Sequence, residues 1–143
     1  MSGNFILVVD DNQTHAMLAR RAFERNKMGD HFKIMLDGAE ALNFLLSDEV
    51  KPSLVLLDVN MPRVDGLEML RRLRADERTR TLPVMMLTSS GEFADRQNAF
   101  EWGLDGYIRK PVDFSEFVEI VRQLGLYWLD MDDVEPPKLD QPT

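Results

Sequence analysis

Apolar residues along this chain follow two different periods. Short, largely aliphatic runs at residues 5–9, 32–36, 54–57, 84–87 and 107–108 predict five β-strands. In the run Leu54-Val55-Leu56-Leu57 both alternating faces are apolar, as expected of a parallel strand covered on its two sides. Between the runs the period changes to a helical one. Ala41, Leu42, Leu45 and Leu46 share one face, and Phe114, Phe117, Val118 and Val121 share another. Intervals of roughly twenty residues between strands suit right-handed crossovers through helices. The expectation is therefore an α/β fold, a doubly wound five-stranded parallel sheet. Gly103 reads as a left-handed cap after a helical segment at 93–102, and Pro62 and Pro83 mark loops.

Length and composition bound this picture. A chain of 143 residues, 44% hydrophobic and 29% charged, suits one globular domain with its own core and leaves no room for a second. Seventeen basic against 25 acidic residues give a formal charge of −8, which repels phosphate backbones and argues against nucleic acid as a partner. Without cysteine there is neither a disulfide framework nor a thiolate metal site. The first apolar run is too short for a signal sequence or a membrane span, so a cytoplasmic, membrane-free protein is expected. Composition shifts after Leu126: residues 127–143 carry Asp130, Asp132, Asp133, Glu135 and Asp140 against Lys138 alone, together with Pro136, Pro137 and Pro142. We read residues 1–126 as the domain and 127–143 as an acidic, proline-containing, partly disordered extension, with no output domain.

Candidate chemistry gathers at the ends of the strands. Asp10 and Asp11 follow the first, Asp58 the third, Thr88 the fourth, and Lys110, with Pro111 behind it, the fifth. A strand order of 2-1-3-4-5 makes strands one and three neighbours and brings these five residues to one crevice at the topological switch point. Three carboxylates packed there repel one another unless a cation neutralises them. Oxygen ligands without His or Cys, in a site open to water and phosphate, point to Mg²⁺ rather than zinc, with Mn²⁺ as a substitute.

Asp10-Asp11, Asp58 within Asp-Val-Asn-Met-Pro-Arg-Val-Asp-Gly, Leu87-Thr88-Ser89 and Lys110-Pro111 together resemble the response-regulator receiver domain of two-component signalling. The match runs from about Asn4 to Leu126. The resemblance implies a flavodoxin-like fold and a chain that is a phosphoryl acceptor rather than an enzyme, assisting its own phosphorylation and autodephosphorylation. By it Asp58 is the phosphoacceptor, served by a sensor histidine kinase. Asp11 and Asp58 ligate Mg²⁺ directly, Asp10 acts through water, and the backbone carbonyl of Asn60 adds a ligand. Lys110 pairs with the phosphate, while Thr88 and Tyr107 form a conformational switch that relays the signal to a separate downstream protein.

Simpler readings compete at each position. Asp10 and Asp11 are suited to capping the first helix; Tyr107 is suited to core filling. Arg71, Arg72, Arg74, Arg78 and Arg80 read as a solvated face, and His15 as a surface residue close to the acids. An aspartyl-nucleophile phosphatase of the haloacid dehalogenase type is a further alternative, but its Asp-x-Asp-x-Thr pattern meets Asn12 at the third position. A degenerate receiver acting as a constitutive interaction module is another, disfavoured by the complete set of acids. Finally, Phe117, Val121, Leu124, Trp128 and Met131 continue an apolar stripe past the usual end of the domain, although Gly125 interrupts it. We expect this stripe to contact a second copy in a homodimer. A tail of this Tyr-Trp-Leu type also resembles stand-alone regulators that partner bacterial phytochromes, which dimerise through the last strand and the helices on either side of it.

Overall fold

The computed structural model describes residues 3–47, 50–58, 66–89, 103–110 and 113–129, with residues 88, 89, 109 and 110 described at the level of the backbone. Five strands, β1 (Ile6–Val9), β2 (Phe32–Met35), β3 (Leu54–Asp58), β4 (Val84–Ser89) and β5 (Gly106–Lys110), form one sheet in the order β2-β1-β3-β4-β5. All four pairings are parallel. The described helices are α1 (Gln13–Arg25), α2 (Gly38–Leu45), α3 (Gly66–Ala75) and α4 (Phe114–Trp128). The predicted helix at 93–102 and the Pro62 loop lie outside the described residues, as does everything after Leu129.

The sheet divides the core in two because successive strand residues face opposite sides. Leu7, Val9, Val55, Leu57, Val84 and Met86 pack with Ala41, Leu42 and Leu45 of α2 and Met69, Leu70 and Leu73 of α3. Ile6, Val8, Leu54, Leu56, Leu87 and Ile108 pack with Ala19, Ala22 and Phe23 of α1 and Val121 and Leu124 of α4. Every residue from Ile6 to Val9 and from Leu54 to Leu57 is at most 1% exposed, which is why those strands read as unbroken apolar runs. β4 and β5 extend beyond their apolar runs, because Thr88 pairs with Arg109 and Ser89 with Lys110. The backbone ladder continues where the hydrophobic pattern stops.

The apolar stripe of the last helix has a different destination from the one expected. Val121 is fully buried and Leu124 is 6% exposed, and with Phe117 and Trp128 they pack on the α1 side of the protein's own core. A helix lying on a sheet spends its apolar face there, so Val121 and Leu124 offer no surface to a second copy, while Phe117 and Trp128 are partly buried; Met131 lies outside the described residues. Gly125 does not interrupt α4 either. The helix runs through it, with Gly125 buried, and continues past the compositional change at Leu126 to Trp128. The large apolar residues of α4 that face outward are Leu126, 51% exposed, and Tyr127, 83% exposed.

Polar contacts fix the helices. The Asn26 side-chain amide, at the C-terminal cap of α1, donates to the carbonyls of Ala22 and of Val118 in α4, both at 2.9 Å. Of the five arginines expected to face solvent, Arg71 and Arg72 pair with Glu68, and Arg78 with Asp76. Arg74 departs from the expectation. Its guanidinium donates to the carbonyls of Thr79 at 3.2 Å and Gly103 at 3.0 Å. It also lies 3.9 Å from Asp105, whose carboxylate accepts from the Val84 amide at the start of β4. Gly103 adopts φ +78°, as its expected role as a left-handed cap requires, and a Cβ there would stand 3.3 Å from Arg74 Nε.

Candidate functional site

Strand register brings Asp10 and Asp58 together. Val9 pairs with Leu57 across β1 and β3, so the next residue on each chain is a carboxylate at the carboxyl edge of neighbouring parallel strands. Alternation then decides which side they take. Val9 and Leu57 face α2 and α3, so the following pair turns to the opposite side, where α1 lies. Both are buried, Asp10 at 1% and Asp58 at 3% exposure, whereas the other acids among the described residues are in contact with water.

The start of α1 supplies the third group. Asp10 Oδ1 accepts from the Asn12 amide at 3.0 Å, fixing the turn that leaves β1. Asn12, rather than either aspartate, is the N-cap: its side-chain oxygen accepts from the His15 amide at 3.0 Å. His15 is thus in the first turn of the helix, and because helical side chains tilt towards the N-terminus its ring returns over the strand end. His15 Nδ1 stands 3.3 Å from Asp10 Oδ2. The surface position expected for His15 is half right, since its side chain keeps 42% exposure while the ring contacts the buried acid. One donor atom each from Asp10, His15 and Asp58 lie within 4.8 Å of one another, a group able to hold a metal ion. Two buried carboxylates beside an imidazole fit a divalent cation by charge and by donor type.

The other expected site residues are placed as follows. Asp11 follows Asp10 and is exposed, outside the three-residue group. Asp58 pairs in register with Leu87, so the Thr88 backbone comes one residue later on β4. The Lys110 backbone ends β5 opposite Ser89, at the same edge of the sheet. Tyr107, in β5, is 39% exposed rather than core filling. Asn60 lies outside the described residues. Sequence reasoning placed His15 close to the acids but read it as a surface residue, and missed its contact with Asp10. The signal was available in Asn12, a strong N-cap residue, three positions before His15.

Comparison with known proteins agrees with this geometry. The response regulator receiver domain family matches residues 6–122. Among curated relatives, the probable methanogenesis regulatory protein FilR2 of Methanothrix harundinacea is 38% identical over 128 residues, covering 87% of this chain and 83% of that protein. The DNA-binding dual master transcriptional regulator RpaA of Synechocystis sp. is 36% identical over 119 residues, covering 83% of this chain but 48% of RpaA. This chain thus spans about half the length of that regulator. Among solved structures, the bacteriophytochrome response regulator RtBRR has a TM-score of 0.73 at 35% identity, covering 96% of this chain and 86% of its own. The phosphorylated cyanobacterial phytochrome response regulator RcpA has a TM-score of 0.78 at 25% identity, covering 96% and 100%. The Mn²⁺-bound form of response regulator Rcp1 gives 0.77 at 26%, covering 95% and 100%. Strand order, the paired carboxylates at the switch point and a family match over most of the sequence converge: this chain belongs to the response regulator receiver domain family.

Proposed function

We propose that this protein accepts a phosphoryl group on Asp58 from a phosphohistidine of a sensor kinase and passes the signal to a separate protein. The observation that carries this reading is the buried carboxylate pair, Asp10 and Asp58, at the carboxyl edge of β1 and β3. A carboxylate oxygen of Asp58 attacks phosphorus in line, forming the P–O bond of an acyl phosphate as the P–N bond breaks. The electron pair of that bond leaves with the imidazole. Asp11, Asp58 and the Asn60 carbonyl would hold Mg²⁺, or Mn²⁺ in its place, with Asp10 acting through water. When bound, the ion neutralises the carboxylates and the charge spread over the phosphoryl oxygens. The Lys110 ammonium pairs with one phosphoryl oxygen and the Thr88 hydroxyl donates to another. Ser89 is small, which leaves the acyl phosphate open to hydrolysis and so to autodephosphorylation.

The same contacts give the switch. Thr88, drawn towards the phosphate, moves the end of β4, and Tyr107, already partly exposed, turns inward and remodels the face around β5. Raising the active state from a few per cent to most of the population requires the phosphate to favour it by ~3–5 kcal/mol, within reach of a few charge-assisted hydrogen bonds. The likeness to bacteriophytochrome regulators supports a phytochrome-type kinase as the donor. A second copy of the chain belongs to this reading too, docked through the outward Leu126 and Tyr127 rather than the buried stripe. The test is transfer: a ³²P-labelled histidine kinase should lose label to wild-type protein within minutes and keep it when offered Asp58→Asn. Transfer to the variant contradicts the reading.

A further inference from the structure

We propose that His15 is a nitrogen ligand that extends the cation site of Asp10 and Asp58 to borderline metals such as Ni²⁺, Co²⁺ and Zn²⁺, whose binding Mg²⁺ does not share through this residue. This rests on the reading of the site as a divalent-cation site. The chain has two histidines, and only one is near the carboxylates. His31 is engaged elsewhere, with its Nδ1 2.8 Å from the Asn4 carbonyl at the amino end of the sheet. His15 is delivered by the N-cap of α1, with Nδ1 3.3 Å from Asp10 Oδ2. The other oxygen of Asp10 is held by the Asn12 amide, so the carboxylate is fixed with one oxygen turned to the imidazole.

The spacing suits coordination. Around an ion with bonds of about 2.1 Å, adjacent ligand atoms lie ~3 Å apart and opposed ones ~4.2 Å. The atoms of Asp10, His15 and Asp58 all fall within 4.8 Å, so a small rotation of the partly exposed His15 ring closes them on one ion. Ligand chemistry then separates the metals. Mg²⁺ is hard, prefers oxygen and dehydrates reluctantly, so it retains water where the imidazole stands. Ni²⁺, Co²⁺ and Zn²⁺ bind imidazole readily and gain from replacing that water. His15 therefore acts as a selectivity residue: it adds affinity for borderline ions and little for Mg²⁺.

The test is calorimetric titration of the full chain with NiCl₂ and with MgCl₂, in wild type, His15→Ala and His31→Ala. Imidazole ¹H–¹⁵N spectra with ZnCl₂ accompany it. We expect His15→Ala to weaken Ni²⁺ binding by at least about tenfold while Mg²⁺ affinity stays within about twofold, and the His15 ring nitrogens to shift on adding Zn²⁺. His31→Ala should bind both ions as wild type does. Equal Ni²⁺ affinity in wild type and His15→Ala, with unshifted His15 nitrogens, overturns the proposal. So does an equal loss of both ions, which would make His15 a positioning residue for Asp10. Wild-type protein that takes up Ni²⁺ through His15 but no Mg²⁺ upholds the ligand role and counts against the proposed Mg²⁺-dependent function; binding of neither ion overturns both.

Discussion

Asp58 and Leu87 are register partners on adjacent parallel strands, so the backbone of Thr88 follows one step beyond the level of the buried carboxylate. Under the proposed function Thr88 reads a phosphate on Asp58 without being needed to form it. Thr88→Ala should therefore still be phosphorylated but fail to move Tyr107. With ¹⁹F-labelled tyrosine, and Tyr127→Phe used to assign the two signals, phosphorylation should shift the Tyr107 resonance in the parent and leave it in place in Thr88→Ala. An equal shift in both would show that Thr88 does not couple the site to Tyr107.

Asn26 ties α1 to α4 through a single side chain that is 3% exposed and donates to the Ala22 and Val118 carbonyls. Asn26→Ala removes both donations from a buried location. The expected cost is about 1–3 kcal/mol, read from the urea midpoint at unchanged m. A loss below about 0.5 kcal/mol would mean the two helices are held by apolar packing alone.

Stability at low pH should carry the signature of α3. The Glu68 carboxylate is held by hydrogen bonds from Arg71 and then Arg72, which lower its pKa from 4.5 to about 2 against a small opposing effect of burial. A carboxylate depressed in the folded state stabilises it above its unfolded value, and that contribution is lost as pH falls through the folded one. The urea midpoint of wild type should therefore exceed that of Glu68→Gln above pH 4.5, and the difference should close as pH falls towards 2. Because the pair is at the surface, 1 M NaCl should shrink the difference as well. A gap that widens on acidification would contradict the assignment.

Tyr127 is 83% exposed next to Leu126 at 51%, at the end of a helix whose opposite face is already used by the core. Tyr127→Ala should leave stability within about 0.5 kcal/mol of wild type. If a second copy docks there, sedimentation velocity at tens of micromolar should show a wild-type dimer and a variant shifted towards monomer. Indistinguishable sedimentation of the two would show that no second copy docks on this surface.

The sequence made the sheet legible because its inner strands β1 and β3 are buried on both faces and so leave unbroken aliphatic runs, from which the others could be spaced. The carboxylates were legible because each follows such a run directly. What escaped was information that one-dimensional periodicity does not carry. The stripe through Phe117, Val121, Leu124 and Trp128 announced an apolar face but not the surface it covers, and that surface is the protein's own sheet. Gly125 lowers intrinsic helix propensity, yet packing against the core carries α4 through it. Arg74 looked like its neighbours because composition records charge and not the Thr79 and Gly103 carbonyls that the guanidinium meets. His15 was placed near the acids, but its contact with Asp10 escaped because it depends on a cap and on side-chain tilt, which act together only in three dimensions.

Whether Asp58 is the phosphoryl acceptor is decided by intact-protein mass spectrometry after incubation with acetyl phosphate and Mg²⁺. The expected result is a gain of one phosphoryl group, located at Asp58, released by hydroxylamine as an acyl phosphate must be, and absent in Asp58→Asn. No gain in wild type would favour a constitutive interaction module, and a gain that persists in Asp58→Asn would place the chemistry on another residue.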